Sequence, residues 1–265
     1  MLELKNIQKT FAKGTVNEKT ALAGIDLTLR KGDFVTVLGS NGAGKSTLFG
    51  AIAGTFTPDT GSVILDGKDI THLPDFKRSK YIGRLFQDPL KGTAPNMTIE
   101  ENLALAYMRA SSHTSPFSMI SRADREGFRE KLSMLGLGLE DRMDSPVGLL
   151  SGGQRQALTL LMATLVTPKL LLLDEHTAAL DPATAEKVLE LTKRIVAEND
   201  ITCLMITHNI PSALQLGNRT IMMNNGRIVL ELSGEQRRHI TTEQLLQTFH
   251  EQAAVSDRML FSAGM

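Results

Sequence analysis

Hydrophobic positions along the chain follow two patterns, and each pattern predicts a different kind of strand. Near the amino terminus Leu2 and Leu4 alternate with charged residues, and a similar alternation returns over residues 25–30. Because successive side chains of a strand point to opposite faces, this alternation predicts half-exposed antiparallel strands. Residues 34–38 are instead almost continuously apolar, which is typical of a strand buried on both faces.

Strands and helices alternate through much of the chain, and this order predicts a parallel sheet. The predicted elements are strands at residues 62–65, 81–86, 170–174 and 202–207, and helices from residue 46 onward and at residues 182–197. Asn225-Gly226 lies between two further apolar runs. Since both residues tolerate positive φ, this dipeptide predicts a hairpin turn.

The middle and the end of the chain have a more helical pattern. Residues 89–151 are predicted to be mostly helical, with a loop near residues 111–116, and they resemble a lobe inserted into the alternating part. Spacing of Leu245, Leu246 and Phe249 predicts a helix near the end. Within one domain over the whole chain, the expected parts are a core with the antiparallel strands at 1–88 and 157–232, an inserted helical subdomain at 89–156 and a C-terminal helical extension at 233–265.

Composition narrows the possible partners and the compartment. Lysine plus arginine equals aspartate plus glutamate at 29 each, so overall charge gives no reason to expect a nucleic acid partner. The single cysteine, Cys203, rules out an internal disulfide and suits a reducing cytoplasm. Residues 1–5 lack the apolar core of a signal peptide, and no apolar run reaches the roughly 18 residues that cross a bilayer. A role in transport would therefore need another chain to form the pathway.

A glycine-rich loop after the strand at 34–38 carries the clearest chemical signal. Residues 39–46 match the phosphate-loop pattern between a predicted strand and a predicted helix. Glycines let backbone N–H groups point at phosphate oxygens, while Lys45 would bridge the β- and γ-phosphates and Ser46 would bind Mg²⁺. The alternative is a glycine-rich turn without a ligand. The residues expected to contact ATP are Gly39, Ser40, Asn41, Gly42, Ala43, Gly44, Lys45, Ser46 and Thr47.

Two acidic residues end the apolar strand at 170–173. Open α/β sheets bind ligands at the carboxyl ends of their strands, so Asp174 is expected to reach Mg²⁺ through water. Glu175 is expected to orient the attacking water or accept its proton. A strand that simply ends in solvated acids is the alternative interpretation.

Residues 150–154 read Leu-Ser-Gly-Gly-Gln, and with this motif the chain resembles the ABC ATPases over residues 1 to about 232. Ser151 and two glycines at the start of a helix offer a hydroxyl and N–H donors to a phosphate. The resemblance implies an α/β P-loop NTPase with a mainly parallel RecA-like core sheet. An N-terminal antiparallel β-subdomain and an inserted helical subdomain that ends in the signature motif complete this expected fold.

The resemblance also implies roles for individual residues. In the family, two nucleotide domains form a head-to-tail dimer, and the signature of one closes over ATP held by the other. The residues that match its motifs are Ser151, Gly152, Gly153 and Gln154 in the signature, Gln87 in the Q-loop that senses Mg²⁺, Asp181 in the D-loop, and His208 as the histidine that contacts the γ-phosphate.

Some of these matches have alternatives, and some positions depart from the family pattern, His176 among them. A histidine after a strand is more often structural, although the position of His208 favours the catalytic role. Phe11 resembles the aromatic residue that stacks on adenine but could instead belong to the sheet core, and Val16 nearby is a further candidate contact with the base. His176 stands where the family usually has proline.

The function implied by the resemblance is that of an ATPase on the cytoplasmic face of the cell membrane. It would dock through residues 87–106 on an integral membrane permease and drive import of amino acids or similar small organic solutes. An extracytoplasmic substrate-binding protein is an expected further partner. The alternatives are an exporter subunit and a soluble ABC ATPase acting on ribosomes or DNA. A small-molecule kinase would leave residues 150–154 unexplained.

Overall fold

A computed structural model describes residues 1–110 and 120–247 of the 265-residue chain. The strands are β1 (Leu2–Phe11), β2 (Lys19–Leu29), β3 (Phe34–Gly39), β4 (Thr60–Leu65), β5 (Lys68–Asp69), β6 (Ile82–Leu85), β7 (Leu170–Asp174), β8 (Thr202–Ile206), β9 (Arg219–Asn224) and β10 (Arg227–Ser233). The α-helices are α1 (Lys45–Ala53), α2 (Asp75–Arg78), α3 (Ile99–Ala110), α4 (Arg122–Ser133), α5 (Gly152–Thr164), α6 (Pro182–Glu198), α7 (Ile210–Gln215) and α8 (Gly234–His239). Short 3-10 helices lie at Pro89–Gly92 and Val147–Leu149.

The chain divides into two compact units. The first unit comprises residues 1–78 and the chain from residue 202 onward, and the second comprises residues 79–201. This division follows contacts between residues, whereas the predicted boundaries at 88, 156 and 232 followed sequence patterns. Those boundaries stay a prediction.

The first unit contains an antiparallel sheet with the strand order β2-β1-β4-β5. Leu2 pairs with Leu29 and Leu4 with Leu27, and all four side chains are buried. Polar residues between them point to the other face, as period-2 alternation requires. The predicted half-exposed antiparallel strands are therefore confirmed.

The first unit also contains strands in the order β10-β9-β3-β8, with β3 parallel to both of its neighbours. All six residues of β3 are buried, which confirms the strand predicted at residues 34–38. Cys203 of β8 pairs with Phe34, and burial raises the pKa of its thiol. Between β9 and β10, Asn225 and Gly226 have φ angles of 46° and 72°, so the predicted hairpin turn is confirmed.

Helix α1 ends against a buried arginine that no sequence pattern singles out. Arg78 is 1% exposed, and its guanidinium donates to the carbonyls of Ala51 and Ile52 at 2.8 Å each. Two further bonds reach the carbonyls of Leu73 and Thr71. The last carbonyls of a helix lack partners within the helix and carry partial negative charge, so a cation is favourable there. Burial lowers the pKa of Arg78.

In the second unit, β6 and β7 pair in parallel, and the helices build a separate apolar core. This core consists of Ile99, Leu103, Ala104, Phe128, Leu132, Leu139, Met143, Val147, Leu150, Leu158, Leu161 and Leu165. The prediction of a mostly helical stretch at 89–151 is wrong after Ser133, where α4 ends. Gly136 and Gly138 have φ angles of 65° and 67°, which a continuing right-handed helix cannot contain. The loop predicted near residues 111–116 lies outside the described residues.

The described part of the C-terminal extension is partly helical. Residues 242–247 form a helical segment after α8, and Leu245 is fully buried in an apolar cluster of the first unit that includes Leu38 and Met222. The predicted contribution of Phe249 lies outside the described residues. Over residues 1–110 and 120–247, every helix is too short or too polar to cross a bilayer.

Candidate functional site

The phosphate-loop residues connect the buried strand β3 to helix α1. Gly42 and Gly44 have φ angles of 82° and 100°, a region that favours glycine. A Cβ on Gly44 would lie 2.5 Å from the carbonyl oxygen of Ala21, so a side chain would also collide with backbone there. The loop therefore keeps its path only with these glycines, and α1 begins directly after it at Lys45.

Lys45 folds back over this loop. The residue is 6% exposed, and its ammonium donates to the carbonyls of Gly39 at 2.8 Å and Ser40 at 3.0 Å. Ser46 is exposed on the first turn of α1, while Thr47 is half-buried. The helix start thus presents N–H groups, a cation and a hydroxyl in one place, which is the donor set that a magnesium-bound phosphate requires.

His208 follows the strand adjacent to β3. Val37 pairs with Ile206 in the parallel ladder, and the N–H of Thr207 donates to the carbonyl of Val37 at 3.2 Å. The carboxyl ends of parallel strands meet at one edge of a sheet, so His208 emerges at the same edge as Gly39. Its side chain is exposed. Within the first unit, the structure thus brings the predicted histidine to the phosphate-loop edge.

The two residues predicted near the base lie at and after the end of β1. Phe11 is 42% exposed, so the alternative that placed it in the sheet core is wrong. Its ring contacts the ring of Phe56, with centroids 5.5 Å apart. Val16 is fully exposed in the connection to β2. Both side chains are accessible to a ligand.

In the second unit the acidic pair ends β7. Residues Leu170–Leu173 are fully buried, Asp174 and Glu175 are half-buried, and Glu175 has a φ of 45°. Glu175 has this left-handed conformation at the start of a turn, in which the N–H of Ala178 donates to the Glu175 carbonyl at 2.9 Å. Gln87 follows β6, whose Leu85 pairs with Leu173 in parallel. Gln87 and the acidic pair therefore emerge at the same edge of this strand pair.

The signature residues form the start of helix α5. The Ser151 hydroxyl accepts from the N–H of Gln154 at 3.2 Å, and the Gln154 side chain accepts from the N–H of Ser151 at 3.2 Å. This reciprocal capping box leaves Ser151 and Gly152 exposed at the positive end of the helix dipole. The amide of Gln154 is engaged in the cap, and a contact between Gln154 and nucleotide stays a prediction.

Glycine at position 153 is explained by the approach of helix α6. A Cβ on Gly153 would lie 2.2 Å from Cγ2 of Thr184, which no packed structure tolerates. Asp181 caps α6 by accepting from the N–H of Thr184 at 3.1 Å. Hydrogen bonds from the Thr184 hydroxyl and from this N–H lower the pKa of Asp181. The D-loop aspartate thus has a capping role whatever its role toward nucleotide.

The structure also shows a residue whose role sequence reasoning missed. His176 is 2% exposed, and its Nε2 lies 3.1 Å from the hydroxyl of Thr192 on α6. Burial lowers the pKa of His176 to about 4, so the imidazole is neutral at physiological pH. The departure from the family's usual proline was visible in the sequence, but the partner sixteen residues further along was not.

Comparison with known proteins connects these features to one family. The model of a family described as ABC transporter matches residues 22–178. A tyrosine transport ATP-binding protein of Clostridioides difficile is 42% identical over 249 residues, which cover 94% of this chain and 98% of that protein. The bicarbonate transport ATP-binding protein CmpC of Synechococcus elongatus is 36% identical, and the match covers 84% of this chain but 32% of that longer protein.

Solved structures agree with the sequence matches. The ATP-binding cassette MJ0796, solved as a dimer in a post-hydrolysis state with ADP and Pi, is 31% identical and superposes with a TM-score of 0.76. The superposition covers 88% of this chain and 98% of that one. The predicted fold class, an α/β P-loop NTPase, is therefore confirmed. The chain belongs to the ABC transporter family and is one of its ATP-binding and ATP-hydrolysing subunits.

Proposed function

We propose that this chain hydrolyses ATP to drive the import of an amino acid, with tyrosine as the first candidate, through a separate membrane permease. The observation that carries the substrate class is the 42% identity to a tyrosine transport ATP-binding protein along nearly the whole of both chains. The methionine import protein MetN of Haemophilus influenzae, 34% identical over 94% of this chain, supports the same class.

In this proposal the phosphate loop binds ATP through the backbone N–H groups of residues 39–47 and through Lys45. Oxygen ligands are what Mg²⁺ prefers, and the Ser46 hydroxyl, the Asp174 carboxylate and the Gln87 amide supply them. Bound Mg²⁺ would neutralise charge on the β- and γ-phosphates. The donor set of the chain thus fits a magnesium nucleotide.

Glu175 and His208 handle the attacking water and the γ-phosphate. Glu175 accepts a proton from the water or orients it, since a carboxylate beside the γ-phosphate is suited to this task. His208 donates a hydrogen bond to a γ-phosphate oxygen, where negative charge is stabilised during transfer. Phe11 and Val16 contact the adenine base.

A second copy of the chain completes the site. Ser151, Gly152 and Gly153 of that copy offer the exposed helix start of α5 to the γ-phosphate, with Gln154 and Asp181 at the edge of the contact. The dimeric state of MJ0796 supports this arrangement. ATP binding would close the dimer and hydrolysis would reopen it.

The permease would dock on residues 87–106, so the chain would act peripherally on the cytoplasmic face of the cell membrane. An extracytoplasmic substrate-binding protein would deliver the solute to the permease. Neither a nucleic acid nor a ribosome is needed as a partner in this scheme.

Uptake measurements test the proposal. A strain that lacks this chain should lose uptake of radiolabelled tyrosine, regain it with the wild-type chain, and not regain it with Glu175→Gln. Glu190→Gln, which changes an exposed glutamate of α6, is the matched control and should restore uptake. Full tyrosine uptake in the deletion strain, with loss of another amino acid, would reassign the substrate. Unchanged uptake of every amino acid and no membrane protein co-purifying with the chain would contradict the transport role.

A further inference from the structure

The exposed ring at the end of β1 is part of a small aromatic cluster in the first unit. The rings of Phe11 and Phe56 meet edge to face, with centroids 5.5 Å apart and an angle of 80° between their planes. Such pairs are favourable because the positive edge of one ring meets the negative face of the other. Phe11 remains 42% exposed, so a large part of its ring stays accessible.

Phe56 is itself held against the helix that follows the phosphate loop. A Cβ on Gly50 of α1 would lie 2.7 Å from Cε1 of Phe56, which shows that the Phe56 ring lies directly on the helix backbone. Its side chain is half-buried. Helix α1 starts at Lys45 and presents phosphate-binding groups. Through Phe56, the Phe11 ring therefore packs indirectly on the same helix.

Lys9 and Asp59 connect the loop around Phe56 to β1. The Lys9 ammonium lies 5.7 Å from the Phe11 ring centroid and 5.5 Å from that of Phe56. It donates to Asp59 at 2.8 Å and to the carbonyl of Thr57 at 3.1 Å. The other Asp59 oxygen accepts from the N–H of Thr10 at 2.8 Å. These bonds fix both backbone segments that carry the two rings.

We propose that Phe56 is a positioning residue for nucleotide binding: it holds the Phe11 ring ready to stack on the base, and Lys9 and Asp59 brace the pair. This inference rests on the proposed contact between Phe11 and the nucleobase. A phenylalanine on an exposed strand end loses rotational freedom when a base stacks on it, and that loss weakens binding. A ring already ordered by Phe56 loses less.

Two ligands separate the base contact from the phosphate contact. Dissociation constants of the purified full-length chain are measured by calorimetry for ATP and for inorganic tripolyphosphate, which has phosphates but no base. Phe11→Ala should raise the dissociation constant for ATP about 10-fold, the loss expected for one stacking contact. Phe56→Leu keeps apolar bulk but removes the ring edge. It should raise the dissociation constant for ATP about 3- to 10-fold, the effect of losing one preordered side chain. Neither variant should change the affinity for tripolyphosphate.

Further variants distinguish positioning from a general structural role. Lys9→Met should lower the affinity for ATP, as Phe56→Leu does, and leave the affinity for tripolyphosphate unchanged. The double variant Phe11→Ala, Phe56→Leu should lose no more ATP affinity than Phe11→Ala alone, because Phe56 acts through Phe11. Phe76→Leu changes a phenylalanine of α2 that is 66% exposed, and this matched control should bind both ligands as the wild type does.

Clear results would overturn the inference. If Phe56→Leu binds ATP like the wild type, or weakens tripolyphosphate as much as ATP, Phe56 does not act through the base. If Phe11→Ala leaves the ratio of ATP to tripolyphosphate affinity unchanged, the base contact is itself wrong and the inference falls with it. A wild-type chain that binds neither ligand would instead contradict the proposed ATP site.

Discussion

Nε2 of His176 lies at hydrogen-bond distance from the hydroxyl of Thr192, 3.1 Å away in the buried interior of the second unit. Thr192 gives its own proton to the carbonyl of Val188 at 2.8 Å, so Nε2 of neutral His176 must carry the proton. His176 directly follows Glu175, whose φ of 45° costs of the order of 1–3 kcal/mol and persists only when the surroundings enforce it. The buried bond to α6 anchors the chain at that point.

The free energy of unfolding should fall at acidic pH because His176 is buried as a neutral group. The pKa of His176 falls from 6.5 to about 4 on folding, so the unfolded chain binds the proton more tightly. Neutral His176 therefore contributes to the free energy of unfolding above pH 6.5, and this contribution is lost as pH falls toward 4. At pH 5 the loss should be about 2 kcal/mol.

The variant His176→Gln isolates this effect, because its amide can donate to Thr192 but does not titrate. Urea unfolding with a chelator present should show that wild type loses about 2 kcal/mol more than the variant between pH 7.5 and pH 5. Equal losses in the two proteins would mean that His176 is not buried as a neutral group.

Packing between α5 and α6 should fail when Gly153 gains a methyl group. The added Cβ would lie 2.2 Å from Cγ2 of Thr184, and overpacking of this kind costs about 1–3 kcal/mol. The double variant Gly153→Ala, Thr184→Ala removes the obstructing methyl and should recover most of the loss in urea unfolding. No recovery would show that the clash is not the cause.

Gly127→Ala is the matched control for that experiment. Gly127 lies within α4, and nothing lies within 4 Å of a Cβ added there. Alanine forms helix more readily than glycine, so this change should raise the free energy of unfolding by about 0.5–1 kcal/mol. The two glycine substitutions should therefore have opposite signs.

Removal of the buried guanidinium should destabilise the first unit. Arg78→Met leaves the carbonyls of Ala51, Ile52, Leu73 and Thr71 without their donor, and the free energy of unfolding should fall by about 3 kcal/mol or more. Arg238→Met is the control, since that side chain is 73% exposed in a surface ion pair and should contribute little. Similar losses in the two variants would contradict the buried role of Arg78.

The sequence predicted those parts of the molecule in which one short pattern determines the outcome. The apolar run at 34–38 could only be satisfied by burial on both faces, and Asn225-Gly226 supplied the positive φ angles of a hairpin turn. Ser151 and the two glycines after it were expected to open a helix, and α5 begins there with Ser151 as its N-cap. Local chemistry and final structure agree at these places.

What the sequence could not predict depends on partners that are distant along the chain. Arg78 looks like an ordinary solvated arginine until the end of α1 is folded against it, more than twenty residues away. Thr192 gives no sign that it will bind His176, and Phe56 gives none that it will meet Phe11. The helical prediction is wrong after Ser133 because Gly136 and Gly138 adopt positive φ angles there.

Steady-state phosphate release by the purified chain tests most directly whether the predicted residues form one hydrolytic site. Wild-type turnover should rise more steeply than in proportion to protein concentration, since a second copy supplies Ser151. Glu175→Gln should lower turnover at least about 100-fold, the usual effect of losing a general base, while ATP affinity stays within about twofold. Glu190→Gln should hydrolyse ATP like wild type. Near wild-type turnover by Glu175→Gln would contradict the account.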